Sequence, residues 1–170
     1  MTAPVVVFAV GNPSRGDDAI GPELLARLAD WLDKEGLAEH VDLIEDFQLN
    51  IEHALDLEGR ELALFIDAGE NTPAPCVFER IFPSVIPSHS THALPPQAVL
   101  QVYLQTEGKE PPPSFVLCVR GESYGLGDGL TPAATAHLEA AFVVLQRVFR
   151  DLDPAVPVSF GKPGIALPVA

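Results

Sequence analysis

A single three-layer α/β/α domain, built on a mostly parallel, twisted sheet of about five strands, is the fold this sequence predicts, and three observations predict it. Val5–Val10, Leu62–Ile66 and Phe115–Val119 are continuous, largely β-branched or aliphatic runs, the pattern of strands buried on both faces. Segments of helical spacing stand between them, so the first half of the chain reads β-α-β-α-β, and parallel neighbours need such crossovers. The 170 residues are 47% apolar and 20% charged, which suits one domain with one core and argues against disorder. The domain is expected over residues 1–152, with residues 153–170 forming a Pro-rich tail rather than a second domain.

Val5–Val10 is the first strand, and Gly11-Asn12-Pro13 is the turn that ends it. Gly21-Pro22 opens a helix with proline at its first position, where the missing N–H costs little. Leu24, Leu25, Leu28, Trp31 and Leu32 then recur at helical spacing, and Gly36 ends the element. Val41–Phe47 alternates as a second strand, and Asn50 caps a short helix through Leu57. Leu62–Ile66 is the third strand, closed by Asp67. Cys76–Phe82 is expected at a sheet edge, because Pro73, Pro75 and Pro83 crowd it. A helix from Leu94 to Thr106, opened by Pro95 and Pro96, precedes the strand Phe115–Val119. After the glycine-rich loop Gly121–Gly129, Thr131-Pro132 starts the longest helix, with Ala134, Leu138, Ala141, Leu145 and Val148 on one stripe. The tail carries four prolines and no period, and is expected to run extended.

Charge excludes some partners. Ten Lys and Arg stand against 24 Asp and Glu, a net charge of −14. Phosphate backbones and anionic membranes bind basic patches, so neither nucleic acid nor a membrane is expected as a partner. No apolar run approaches a membrane span, and the start reads as a strand rather than a signal peptide. Cys76 and Cys118 read as reduced thiols of a cytoplasmic protein, and two cysteines cannot form a cysteine-only zinc site.

In an open parallel sheet, ligands gather beyond the carboxyl ends of the strands. Asp17 and Asp18 follow the first strand there, Asp46 closes the second, and Asp67 the third. Either the Asp17-Asp18 pair faces a helix end, or it helps to hold a cation. His89 and His92, in the loop before the Leu94 helix, are the better-placed imidazoles, whereas His40 and His137 read as ordinary surface residues. Two carboxylates and an imidazole would leave open positions on a borderline ion such as zinc or nickel, and a carboxylate can hold a water as general base. Two further patterns are weaker. Gly121-Glu122-Ser123-Tyr124-Gly125, with Asp128 and His137 downstream, matches a serine nucleophile elbow, but Leu126-Gly127-Asp128-Gly129 stands where the helix should follow. Gly125, Gly127 and Gly129 hint at a phosphate loop without its lysine.

Gly11-Asn12-Pro13-Ser14-Arg15-Gly16-Asp17-Asp18-Ala19-Ile20-Gly21 resembles the amino-terminal signature of the hydrogenase maturation proteases, endopeptidases that remove a C-terminal extension from the large subunit of nickel–iron hydrogenases. The resemblance continues through Phe65-Ile66-Asp67-Ala68, Ser90-Thr91-His92-Ala93-Leu94 and Gly129-Leu130-Thr131-Pro132, and spans residues 5–152. It implies metal-ligand roles for Asp18, Asp67 and His92, with Asp18 and Asp67 also catalytic and Asp17 the second choice for the first position. The family often has Glu where Asp18 stands, so the reach is shorter here. Where many relatives have Gly-Gly-Thr, this chain has Asp46-Phe47-Gln48-Leu49-Asn50-Ile51-Glu52-His53, similar to the branch acting on cytoplasmic NAD-reducing hydrogenases. Phe47, Gln48 and His53 would then read the partner; alternatively Phe47 is a core residue and His53 lies on a helix face. The implied protein is a monomeric, cytoplasmic, aspartic-type endopeptidase. Its substrate, the hydrogenase large-subunit precursor, supplies the nickel, and no organic cofactor is needed. The alternatives are a non-catalytic metal-binding accessory protein for hydrogenase assembly and a serine hydrolase using Ser123.

Overall fold

The computed structural model describes residues 2–85 and 94–151. Val5–Val10 forms strand β1, buried along its whole length, and its parallel neighbours are β2 (Val41–Asp46) and β3 (Leu62–Gly69). Strand β5 (Ser114–Arg120) continues the parallel sheet beside β3, and β4 (Cys76–Ile81) closes it as an antiparallel edge, giving the order β2-β1-β3-β5-β4. Helices α1 (Ile20–Lys34), α2 (Pro96–Glu107) and α3 (Pro132–Arg150) cover the sheet together with short 3-10 helices, among them Gly16–Ala19 and Ile51–Leu57.

Alternation along the strands sorts the core into two layers. Val5, Val7 and Ala9 of β1, with Leu62, Leu64 and Ile66 of β3, face α1 and α3, where Leu24, Leu28, Leu138 and Leu145 meet them. Val6, Phe8 and Val10, with Ala63 and Phe65, face α2 and the Ile51–Leu57 helix. Phe8 and Phe65 stack at 4.8 Å in this second layer. Each large side chain so buried contributes about 1.5–3 kcal/mol. The three layers, the five strands and the edge position of β4 agree with the sequence reading.

The differences are local. Strand β3 continues past Ile66 to Gly69, because pairing with β5 extends through Asp67–Cys118 to Gly69–Arg120. Asp67 therefore lies within the strand rather than beyond it. Strand β2 stops at Asp46, and Phe47 is exposed, not a core residue. Asn50 caps its helix as expected, accepting from the Glu52 amide at 2.9 Å, but the helix is 3-10 rather than α. Residues 153–170 lie outside the described residues. Among the described residues, no helix is long and apolar enough to cross a membrane.

Candidate active site

From β1 the chain crosses by α1 to β2 on one side, whereas β3 is followed by strands on the other side. The connections leaving β1 and β3 thus diverge, and a crevice opens beyond their carboxyl ends. Asp67 stands one step beyond the last β1–β3 pair, Ala9 and Ile66, and the Asn12–Asp18 turn folds over the end of β1. Gly11 makes that fold-back possible. Its φ is +149°, and a Cβ there would lie 2.0 Å from the Asp18 carbonyl oxygen.

Asp18 is half-buried, and its Oδ2 accepts from the Asn12 amide at 2.7 Å. Asp67 accepts from the Ala68 amide at 2.8 Å through Oδ1. Burial pushes the Asp67 carboxyl up to about 6, against the Ala68 hydrogen bond, and the charge on Asp18 adds to the rise. The two carboxylates therefore feel each other across the crevice. Such a pair can hold a water between acceptors, or share an incoming cation. Cys118, paired in register with Asp67, contacts the Thr72 hydroxyl at 3.0 Å, and burial first among the causes keeps its thiol pKa raised.

Asp17 has a different task from its neighbour. It is fully buried and turns away from the pair toward the glycine-rich loop. Its carboxylate accepts from the amides of Glu122 (2.7 Å), Ser123 (3.1 Å) and Thr131 (2.7 Å), and from the Thr131 hydroxyl (2.8 Å). Burial alone would raise its pKa, but these hydrogen bonds outweigh burial and hold it below the usual carboxylate value. Asp17 is thus a structural anchor rather than the reserve metal ligand: it joins the Gly16–Ala19 turn to the loop after β5 and to the start of α3. Thr131 in turn caps α3, accepting from the Ala134 amide at 3.1 Å.

The remaining sequence candidates divide. His92 and His89 lie outside the described residues, but Leu94, two residues beyond His92, is tied by its amide to the Leu49 carbonyl at 3.2 Å. Among the described residues, no three His, Cys, Asp or Glu side chains are placed to hold a metal ion. His53 is buried: Nδ1 accepts from the Asn50 amide at 2.9 Å, and Nε2 stands 3.4 Å from Asp46 Oδ2. It closes the helix cap and does not lie on an outer helix face. Phe47 and Gln48 are exposed. Ser123 gives its amide to Asp17 and sits in an open loop well before Pro132 starts α3, without the strand–turn–helix of an elbow. His137 contacts the Arg120 carbonyl at 3.0 Å rather than Ser123, so it is half-buried and engaged, not an idle surface residue. One group drew no attention in the sequence: the Tyr124 hydroxyl, buried beside Gly121 and without a hydrogen-bond partner among the described residues.

No protein-family model matches the chain. No curated protein matches it either. Solved structures do. The chain is similar to the hydrogenase maturating endopeptidase HybD from E. coli (23% identity, TM-score 0.62, covering 86% of this chain and 91% of that one). It is similar as well to an endopeptidase from Escherichia coli known in solution (24%, TM-score 0.64, 86% and 91%). A third is the [NiFe] hydrogenase maturation protease HycI from Thermococcus kodakarensis KOD1 (20%, TM-score 0.61, 88% and 93%). At these identities the likeness establishes a shared fold over nearly the whole length of each chain.

Proposed function

We propose that the chain is an endopeptidase that removes a C-terminal extension from the nickel-loaded precursor of a nickel–iron hydrogenase large subunit. The observation that carries this reading is the Asp18–Asp67 carboxylate pair at the strand ends of a fold shared with solved hydrogenase maturation endopeptidases. The Gly11–Gly21 motif that places Asp18 is also the segment that resembles their signature.

In this reading Asp18, Asp67 and His92 add oxygen and nitrogen ligands to nickel that the substrate already carries. That ion is cargo, held in the precursor by its own ligands, and softer thiolates would retain it against this donor set. Docking on the ion places one peptide bond beside the carboxylate pair, an effect of proximity rather than of a dedicated nucleophile. Without the ion, burial raises the Asp67 carboxyl to about 6, so it is ionised at neutral pH and can offer one oxygen to the ion and the other to a water as general base. Phe47 and Gln48, exposed just after β2, would read the precursor's surface. The enzyme is of aspartic type, acts in the cytoplasm and needs no organic cofactor.

Incubating the protein with nickel-loaded and with metal-free precursor, and weighing the large subunit by mass spectrometry, tests this. The loaded form should lose a C-terminal peptide and the metal-free form should not. Cleavage should also fall as pH drops through about 6, where Asp67 of the free protein takes up a proton that competes with the substrate's ion. Binding without cleavage would instead identify an accessory protein, and equal cleavage of both forms would exclude docking through nickel.

A further inference from the structure

The loop after β5 is rich in backbone amides, the usual material of an oxyanion site. Several of them are committed. Glu122, Ser123 and Thr131 give their amides to Asp17, and Gly121 gives its amide to the Gly69 carbonyl at 3.2 Å, while beyond β1 and in β3 Asn12 donates to Asp18 and Ala68 to Asp67. One side-chain donor of that loop is buried and left over. The Tyr124 hydroxyl is buried and has no partner among the described residues.

Its seat is well defined. A Cβ on Gly121 would come within 2.3 Å of the Tyr124 oxygen and 3.1 Å of the Asp17 Cβ, so only glycine at 121 lets the ring lie there. Gly121 is tied by its amide to Gly69 at the end of β3, and Asp17 belongs to the turn after β1, so the hydroxyl sits between the ends of those strands; it feels the charges of Glu70, Asp17, Asp18 and Asp67 there. Burial, then those charges, push its pKa up to about 12, so it keeps its proton. A buried hydroxyl without an acceptor costs about 1–3 kcal/mol, a cost that an arriving acceptor relieves. A hydroxyl that keeps its proton can donate to a carbonyl oxygen, and donates more strongly as negative charge develops on that oxygen.

We infer that the Tyr124 hydroxyl is the hydrogen-bond donor that receives the carbonyl oxygen of the peptide bond being cut, an inference that rests on the endopeptidase reading. The step balances as follows. Water oxygen adds to the carbonyl carbon while its proton passes to the carboxylate pair, and the C=O π electrons move onto oxygen. That oxyanion accepts from Tyr124 O–H, which does not transfer its proton. Collapse re-forms C=O, the C–N bond breaks, and the amine leaves with the proton held by the carboxyl pair.

The test is Tyr124→Phe, which keeps the ring and removes only the oxygen. With nickel-loaded precursor, kcat should fall about 10²–10³-fold, the effect of losing one oxyanion donor, while KM stays the same. The melting temperature should stay unchanged or rise by up to about 4 °C, because no hydrogen bond of the resting protein is lost. Wild-type cleavage with undiminished kcat in the variant would overturn this inference and leave the endopeptidase reading standing. A fall in melting temperature would also overturn it, since the hydroxyl would then have a structural partner. Precursor left intact by the wild-type protein would overturn the endopeptidase reading itself, and this inference with it.

Discussion

Asp17 and Asp18 are adjacent, carry the same charge, and have opposite environments. Asp17 receives four donors and its acidity is strengthened; Asp18 shares its field with Asp67, whose acidity is weakened. The consequences for stability have opposite signs. Stability from Asp17 is present above the usual carboxylate value of 3.8 and disappears as pH falls through its lower folded value. Asp67 binds its proton more tightly folded than unfolded, so it costs stability above about 6 and nothing below 3.8. Asp67→Asn should accordingly stabilise the protein by about 1–3 kcal/mol at pH 7.5, with the gain vanishing by pH 4. Asp17→Ala should cost about 3–5 kcal/mol at neutral pH by leaving three amides unpaired. Urea denaturation of both variants across pH checks the two signs. Like behaviour at both positions would refute the division of labour.

The Ile51–Leu57 helix illustrates how an element can be legible while its parts are not. Asn50 and the short helix were readable because side-chain caps are local chemistry. His53 was not, because its role depends on accepting from the Asn50 amide and on standing beside Asp46, a partner set fixed by the β2 turn. A glutamine can make the same reach back to the cap. His53→Ala should therefore lose about 1–2 kcal/mol, and His53→Gln should regain part of it, in thermal melts. Undiminished stability in the alanine variant would return His53 to partner recognition. The strands were legible for a similar reason: β1 and β3 are apolar on both faces, and only a doubly covered sheet requires that. Strand ends were less so, since β3 runs on to Gly69 only because β5 is there to pair with it. Asp17 could not be told from Asp18 by spacing. The amides that claim it come from residues 122–131, and only the folded loop brings them within reach. Tyr124 stayed hidden for the same reason.

At the scale of the whole molecule, apolar side chains are exposed on the stretch that follows β2. Phe47, Ile51 and Leu55 are 65%, 63% and 73% exposed and follow one another from the end of β2 along the short helix. Apolar side chains in such a row gain nothing from the fold and would gain from a partner. Phe47→Ser is expected to change stability by no more than about 0.5 kcal/mol, while raising KM for the precursor about tenfold with kcat retained. Steady-state kinetics and a thermal melt on the same preparation decide this. An unchanged KM would remove Phe47 from recognition.

Among the described residues the sheet has two edges, β2 and β4, and both carry features that disfavour strand pairing. Strand β2 carries Asp42, Glu45 and Asp46, and β4 is bracketed by Pro75 and Pro83 with Glu79 exposed between them. Charge and missing N–H groups are the devices by which edge strands refuse to pair. Both edges thus disfavour the addition of a sixth strand, whether from a substrate or from a second copy. In the proposed reaction, a substrate would then be held end-on, where the strands stop, by its own shape and cargo rather than by backbone zippering.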